Sequence, residues 1–189
     1  MLYNRILERA PLSYTLKNEN MYLYRVDKRL FKSGDEIKPQ SKFEDTLKGE
    51  VLMVENILNK VRPSNIPERD KCLFLFCELF GALTFFSKYG GHIYKVTPIN
   101  IYHRGDMNKI DNILDVARFS EDENILEAVA NEYWKAGTHT FHPCYEYLVE
   151  KAIVVDCIAS ENDREKFLLD FKYIHSIERT SLYKTLVTK

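Results

Sequence analysis

HPCYEYLVEKAIVVDCI, residues His142 to Ile158, is the stretch on which the reading of this chain turns. Its second half, Ala152 to Ile158, is an apolar and β-branched run, which predicts a buried strand. Just ahead of it, Tyr145 and Tyr147 bracket one carboxylate, Glu146. A carboxylate held between aromatic faces at the mouth of a sheet can serve as an acidic catalytic group. It can equally be an ordinary polar position on a strand. The choice depends on the partners that the rest of the chain brings to it.

With 189 residues the chain is long enough for one sizeable core and too short for two comfortable ones. A hydrophobic share of 45% beside a charged share of 29%, with 7 Gly and 6 Pro, is the composition of a folded protein. The formal net charge of -1 excludes a broad electrostatic pull toward nucleic acid or membrane, although a local basic groove stays open. The 12 Tyr and 11 Phe favour a packed core and leave rings available to stack on a flat ligand. The opening stretch MLYNRILERAPLSYTLK carries charges through its apolar positions and lacks the uninterrupted run of a secretory signal. No apolar run reaches the roughly 20 residues of a membrane span. The expectation is therefore a cytoplasmic protein that uses no membrane, with Cys72, Cys77, Cys144 and Cys157 as free thiols. An effector exported by an unusual route escapes this reasoning.

Along the chain, MYLYRV (Met21 to Val26) predicts a first strand, and KSGDEIKP (Lys32 to Pro39) predicts a turn. Leu47, Val51, Val54, Leu58 and Val61 recur at three- and four-residue steps, which predicts a helix over Phe43 to Val61. The prolines of RPSNIPERD stop it. CLFLFC (Cys72 to Cys77) predicts a buried strand. ELFGALTFFSKY predicts a helix that buries Leu79, Ala82, Leu83 and Phe86 and ends at Gly90-Gly91. HIYKVTP predicts the next strand, while Asn100 to Ile110, with its RGDMN, has no clear period. Asp122 to Lys135 predicts a helix with Trp134 as a core anchor at its end, Gly137 to Pro143 a loop, and the opening stretch a strand. Asn162 to Leu186 predicts a last helix with Phe167, Phe171 and Ile174 as its buried stripe. The whole reads as one α+β domain over residues 1–189, with a core over about 21–158 and a C-terminal helix over about 162–186.

Two polar positions stand out on these strands. Arg25 lies among Leu23, Tyr24 and Val26, and Glu146 lies in CYEYL. An Arg inside an apolar strand is expensive to bury unless it meets an anion, which could be Glu146, another carboxylate or a ligand phosphate. The bland alternative is that both side chains point to the solvated side of their strands.

The order of features resembles the ADP-ribosyltransferase-like superfamily, and most closely an uncharacterised bacterial family assigned to that fold. The resemblance runs from about Met21 to Ile158. It is carried by LYRV, PERDKCLFLFCELFGAL, IYKVTP, RGDMN, NEYWKAG and YEYLVEKAIVV, in that order. It implies a split mixed sheet with flanking helices and an NAD co-substrate held between a first-strand Arg and a late-strand Glu. On this chain these become Arg25, the anchor of the dinucleotide, and Glu146, the catalytic carboxylate. Tyr24, Phe76, Cys77, Tyr94, Tyr145 and Tyr147 become the remaining NAD contacts. The implied activity is transfer of ADP-ribose from NAD to a macromolecular acceptor, protein or nucleic acid. A role as a toxin or in phage defence follows by analogy, with an inhibitor protein as a further partner. A fixed carboxylate suits that chemistry, because breaking the nicotinamide bond builds an oxocarbenium-like charge on the ribose. The arginine-targeting members carry Ser-Thr-Ser where this chain has Leu75-Phe76-Cys77, and an acidic or amide residue where it has Cys144. Arginine is thus an unexpected acceptor. The same departures favour a second reading, a non-catalytic module on the same fold that binds a nucleotide or a protein. A third, a phosphate-transfer relative acting on RNA ends, asks for more basic residues around the cleft.

Other signals are set aside. His139, His142, Cys144, Cys72 and Cys77 fit no standard zinc spacing, so no metal is expected. In RGDMN, Asp106 and Asn108 suit local turn hydrogen bonds. Gly90-Gly91 stands at a helix end before a strand, the reverse of a phosphate-loop order.

Overall fold

A computed structural model describes residues 21–40, 47–120, 122–136, 143–166 and 169. In chain order the elements are β1 (Leu23–Asp27), β2 (Glu36–Ile37), α1 (Gly49–Lys60), β3 (Leu73–Phe76), α2 (Leu79–Tyr89), β4 (His92–Asp106), α3 (Met107–Phe119), α4 (Glu123–Trp134) and β5 (Tyr145–Ala159). Short 3-10 turns cover Arg69–Lys71 and Glu161–Asp163. The α+β class is shown, and no described helix is long and apolar enough to cross a membrane.

The described strands form one five-stranded sheet in the order β2-β5-β3-β1-β4, in which β4 also pairs with β5. Every pairing is antiparallel, so the sheet is not the mixed one that was expected. Because β1 pairs with both β3 and β4, and both of these pair with β5, the pairing runs around a ring of four strands. The long partners β4 and β5 make this closure possible. Register shifts between Ile93 and Tyr94, Lys95 and Val96, and Ile101 and His103 bend the hairpin. Pro98 falls just past Val96, the last β4 residue paired to β1, so its missing N–H lies where β4 is an edge strand.

A closed sheet has an inner and an outer face, and residues paired directly across strands share one of them. Leu23, Leu73, Leu75, Tyr94, Val96 and Val149 fill the inner face. Outside, Tyr24, Val26, Phe76 and Ile93 lie beneath α2, against Ala82 and Phe86. Phe74, Leu148 and Cys72 lie beneath α1, α3 and α4, against Leu58, Ile113, Leu126, Tyr133 and Trp134. The Trp134 indole N–H donates to the Leu58 carbonyl at 2.9 Å and fastens α4 to α1.

Several elements differ from the sequence expectation. The first helix is described from Gly49, and Val51, expected on its buried stripe, is 47% exposed. Glu55 is buried there beside Val54, Ile57 and Leu58, so the buried stripe includes a charge that apolar periodicity does not count. The unclear stretch from Asn100 splits into the end of β4 and the start of α3, where Asp106 caps the helix by accepting from the Asn108 N–H at 3.1 Å. The apolar strand expected over Ala152 to Ile158 and the CYEYL segment ahead of it are one continuous strand, β5. The helix expected over Asn162 to Leu186 and the loop over Gly137 to Pro143 lie mostly outside the described residues.

Gly105 on β4 is where the outer layer comes closest to the sheet. A Cβ there would overlap the Tyr133 ring of α4. Gly105→Ala should therefore lower unfolding stability by roughly 1–3 kcal/mol, as overpacked core sites do. Urea denaturation of the variant checks this, and an unchanged midpoint would contradict the contact.

Candidate functional site

Glu146 pairs with Phe76, and Phe76 pairs with Tyr24, so these three side chains share the outer face. Arg25, one residue along from Tyr24, belongs to the inner face. The two ends of the expected cleft are therefore on opposite sides of the sheet and do not come together.

On the outer face Glu146 is 4% exposed and belongs to a buried network that sequence reasoning missed. Its Oε1 accepts from the Tyr133 hydroxyl at 2.7 Å and from Arg69 Nη1 at 3.0 Å. Arg69 Nη1 also donates to the Tyr133 oxygen, and Arg69 Nε donates to Glu55 Oε1 at 2.7 Å. The guanidinium carbon sits 4.9 Å from the centroid of the Phe74 ring and 5.0 Å from that of Tyr133. Burial works against the charge on Arg69, but Tyr133, Glu146 and Glu55 outweigh it and raise its pKa. Burial pushes the Tyr133 hydroxyl well up, against the opposing Arg69 charge and with Glu146 and Glu55 adding to it, so it stays protonated and donates. His103 lies beside the network, with ring centroids 5.1 Å from Tyr133 and 4.8 Å from Trp134, and Nε2 3.2 Å from the Tyr133 carbonyl oxygen. Burial pushes its pKa down to about 4, so the ring is neutral near pH 7. The signal for these residues was present in the resemblance itself: Arg69 stands in PERDK, Tyr133 in NEYWKAG, and His103 one residue before RGDMN.

The inner face carries the other candidates. Arg25 Nε donates to Asp27 Oδ2 at 3.2 Å and Nη1 to the Phe74 carbonyl at 3.1 Å. Asp27 is more tightly held by Arg29, whose backbone N–H, Nε and Nη2 donate to it at 3.0, 2.9 and 2.8 Å. Burial alone would raise the Asp27 pKa, but the Arg29 hydrogen bonds and the Arg25 charge bring it below its ordinary value. Arg25 is the less compensated cation: burial lowers its pKa more than Asp27 restores it. Tyr147 is half-buried on the same face, opposite Leu75 on one side and Arg104 on the other. Arg104 is exposed, and its guanidinium lies 4.6 Å from the centroid of the half-buried Tyr145 ring.

The remaining expected contacts have structural partners. Tyr94 is 1% exposed; its hydroxyl donates to the Arg29 carbonyl at 3.0 Å and accepts from the Phe31 N–H at 3.1 Å. It is a strut of the inner core and has no open face for stacking. Tyr24 and Phe76 pack under α2, and Phe76 lies 5.6 Å from Phe85 by ring centroids. Cys77 is half-buried and its N–H donates to the Tyr145 carbonyl at 3.3 Å. Burial pushes the Cys77 and Cys144 thiols up, away from the thiolate form. Among the described residues no group of His, Cys, Asp and Glu is arranged to hold a metal ion. Comparison of the chain with protein-family models and with curated proteins returns no match.

The geometry makes the outer network a structural joint, and two measurements separate that role from catalysis. Arg69→Met strands two carboxylates in the core and should cost roughly 3–5 kcal/mol, whereas Glu146→Gln keeps both hydrogen bonds and should cost about 1 kcal/mol. Equal losses in denaturant titrations would refute the joint. His103 is neutral in the folded protein down to about pH 4, while its ordinary pKa is 6.5. Between these values the unfolded chain binds the extra proton, so stability drops as pH falls, by up to about 1.4 kcal/mol per unit. His103→Gln should remove that part of the slope, which the difference between wild type and variant across pH 7 to 4.5 measures.

Proposed function

We propose that the protein is a nucleotide-binding module that holds the phosphates of its ligand at Arg25, on the inner face of the sheet. The observation that carries this reading is the charge balance around Asp27. One carboxylate faces two guanidinium groups, and its best hydrogen bonds go to Arg29. Arg25 keeps Nη2 without a partner among the described residues, and its side chain is 21% exposed. A partly buried, under-compensated guanidinium is a site for an anion, and phosphate fits its fork. Tyr147 on the same face, and the Arg104–Tyr145 stack beyond it, offer rings to a base.

The transferase reading, with NAD as donor and a protein or nucleic acid as acceptor, keeps the support of the motif order. It asks Glu146 to leave Arg69 and Tyr133 and reach the opposite face. Breaking such a buried pair costs roughly 3–5 kcal/mol before any chemistry begins. The binding module needs no such step and is the reading favoured here.

Calorimetric titration with NAD and ADP-ribose, run beside an assay for nicotinamide release, tests both. The module predicts binding without nicotinamide release, weakened on the order of tenfold or more in Arg25→Lys, which loses the two-pronged contact. No binding of either compound would overturn it. Nicotinamide release that disappears in a folded Glu146→Gln would overturn it in favour of the transferase.

A further inference from the structure

Arg25 does not stand alone on the inner face. Tyr24 pairs with Phe76, which sets Arg25 opposite Leu75. Leu75 pairs with Tyr147, and Tyr147 pairs with Arg104. The strands β1, β3, β5 and β4 thus carry one cross-strand row that reads cation, apolar, ring, cation. At about 4.8 Å per pairing step, its two arginines lie about 14 Å apart measured along the sheet. No carboxylate belongs to the row.

The second cation is as open as the first. Arg104 is exposed and has no ion pair among the described residues. Its guanidinium lies over the Tyr145 ring, a contact that keeps the N–H groups at its rim free to donate. Asp106, two residues further along β4, is occupied by the amides of Asn108 and Cys144, at 3.1 and 3.0 Å.

The order of groups in the row selects among nucleotide ligands. A dinucleotide such as NAD carries its two phosphates together, between two rings. The row places a ring between two cations. A mononucleotide has its phosphate at one end and reaches only one of them. A single strand of nucleic acid repeats phosphate, base, phosphate, which is the order of the row, and its unstacked bases have free faces for an aromatic ring.

Given Arg25 as the anion site proposed above, we infer that the ligand of this face is a single-stranded nucleic acid. One phosphate meets Arg25, the neighbouring base stacks on Tyr147, and a further phosphate meets Arg104. With a formal net charge of -1 on the chain, the attraction is local to this row and not spread over the surface.

Anisotropy titration of a short labelled oligothymidylate, with thymidine 5′-monophosphate as competitor, tests this. The strand should bind on the order of tenfold or more tighter than the mononucleotide. Two phosphate contacts should give log K against log salt a slope of about -1.4. Arg104→Gln, at an exposed position, should leave mononucleotide binding unchanged, bring the strand down to the mononucleotide level and reduce the slope to about -0.7. Arg25→Lys should weaken both ligands. A strand that binds no tighter than the mononucleotide, or an unchanged slope in Arg104→Gln, would overturn the inference and leave the phosphate site at Arg25 standing. Equal binding of a duplex would overturn it in the same way. No binding of any nucleotide would overturn the Arg25 site along with it.

Discussion

The Arg69 guanidinium is the joint on which the outer layer depends. It stands on the turn just before β3 and reaches Glu55 of α1, Tyr133 of α4 and Glu146 of β5. Three elements distant in sequence are thereby tied to one planar cation. A buried charge of this kind is a weak source of net stability but a strong one of specificity at this site, because any other packing of α1 or α4 strands a carboxylate. The network also explains its surroundings. Gly105 must be glycine for Tyr133 to approach the sheet, and His103 is kept neutral between Tyr133 and Trp134, so that no second cation competes for Glu146.

The two faces of the sheet differ in charge and in access. Outside, two carboxylates face one guanidinium, and all three side chains are less than a tenth exposed. Inside, two guanidinium groups face one carboxylate, and both reach solvent in part. A sealed network with an acidic excess has no route for a ligand. A part-open one with a basic excess attracts an anion and can exchange it. Under the proposed binding role, structure and binding would divide between opposite faces of the same strands, with Arg25 rather than Glu146 as the ligand-facing charge.

The legible part of the fold was the part set by period. The α2 stripe, the Asp122-capped α4, the Trp134 anchor and the Asp106 turn all appear as local pattern predicts. Apart from the Trp134 anchor, whose indole reaches Leu58 of α1, those features need only neighbours two to four residues away. Pairing was not legible, because β4 changes partners along its length and its three register shifts leave no local mark. β2, two residues long, is held by β5 and has no pattern of its own. The α1 stripe misled at Val51 because Glu55, a charge, takes a buried place that only the distant Arg69 can justify.

The site shows the same limit in one residue step. Tyr145, Glu146 and Tyr147 read as a carboxylate held between rings. On a strand, however, consecutive side chains alternate, so the neighbours of a residue point away from it. The rings that seem to flank Glu146 belong to the inner face, with Arg25 and Arg104, and the carboxylate belongs to the helices outside. A cage around Glu146 would need aromatics at 144 and 148, where the chain has Cys and Leu. The same alternation that removes the tyrosines from Glu146 delivers them to the face where Arg25 lacks a full partner. The aromatic pair in the late strand therefore bears on the surface proposed for Arg25, and not on the carboxylate between them.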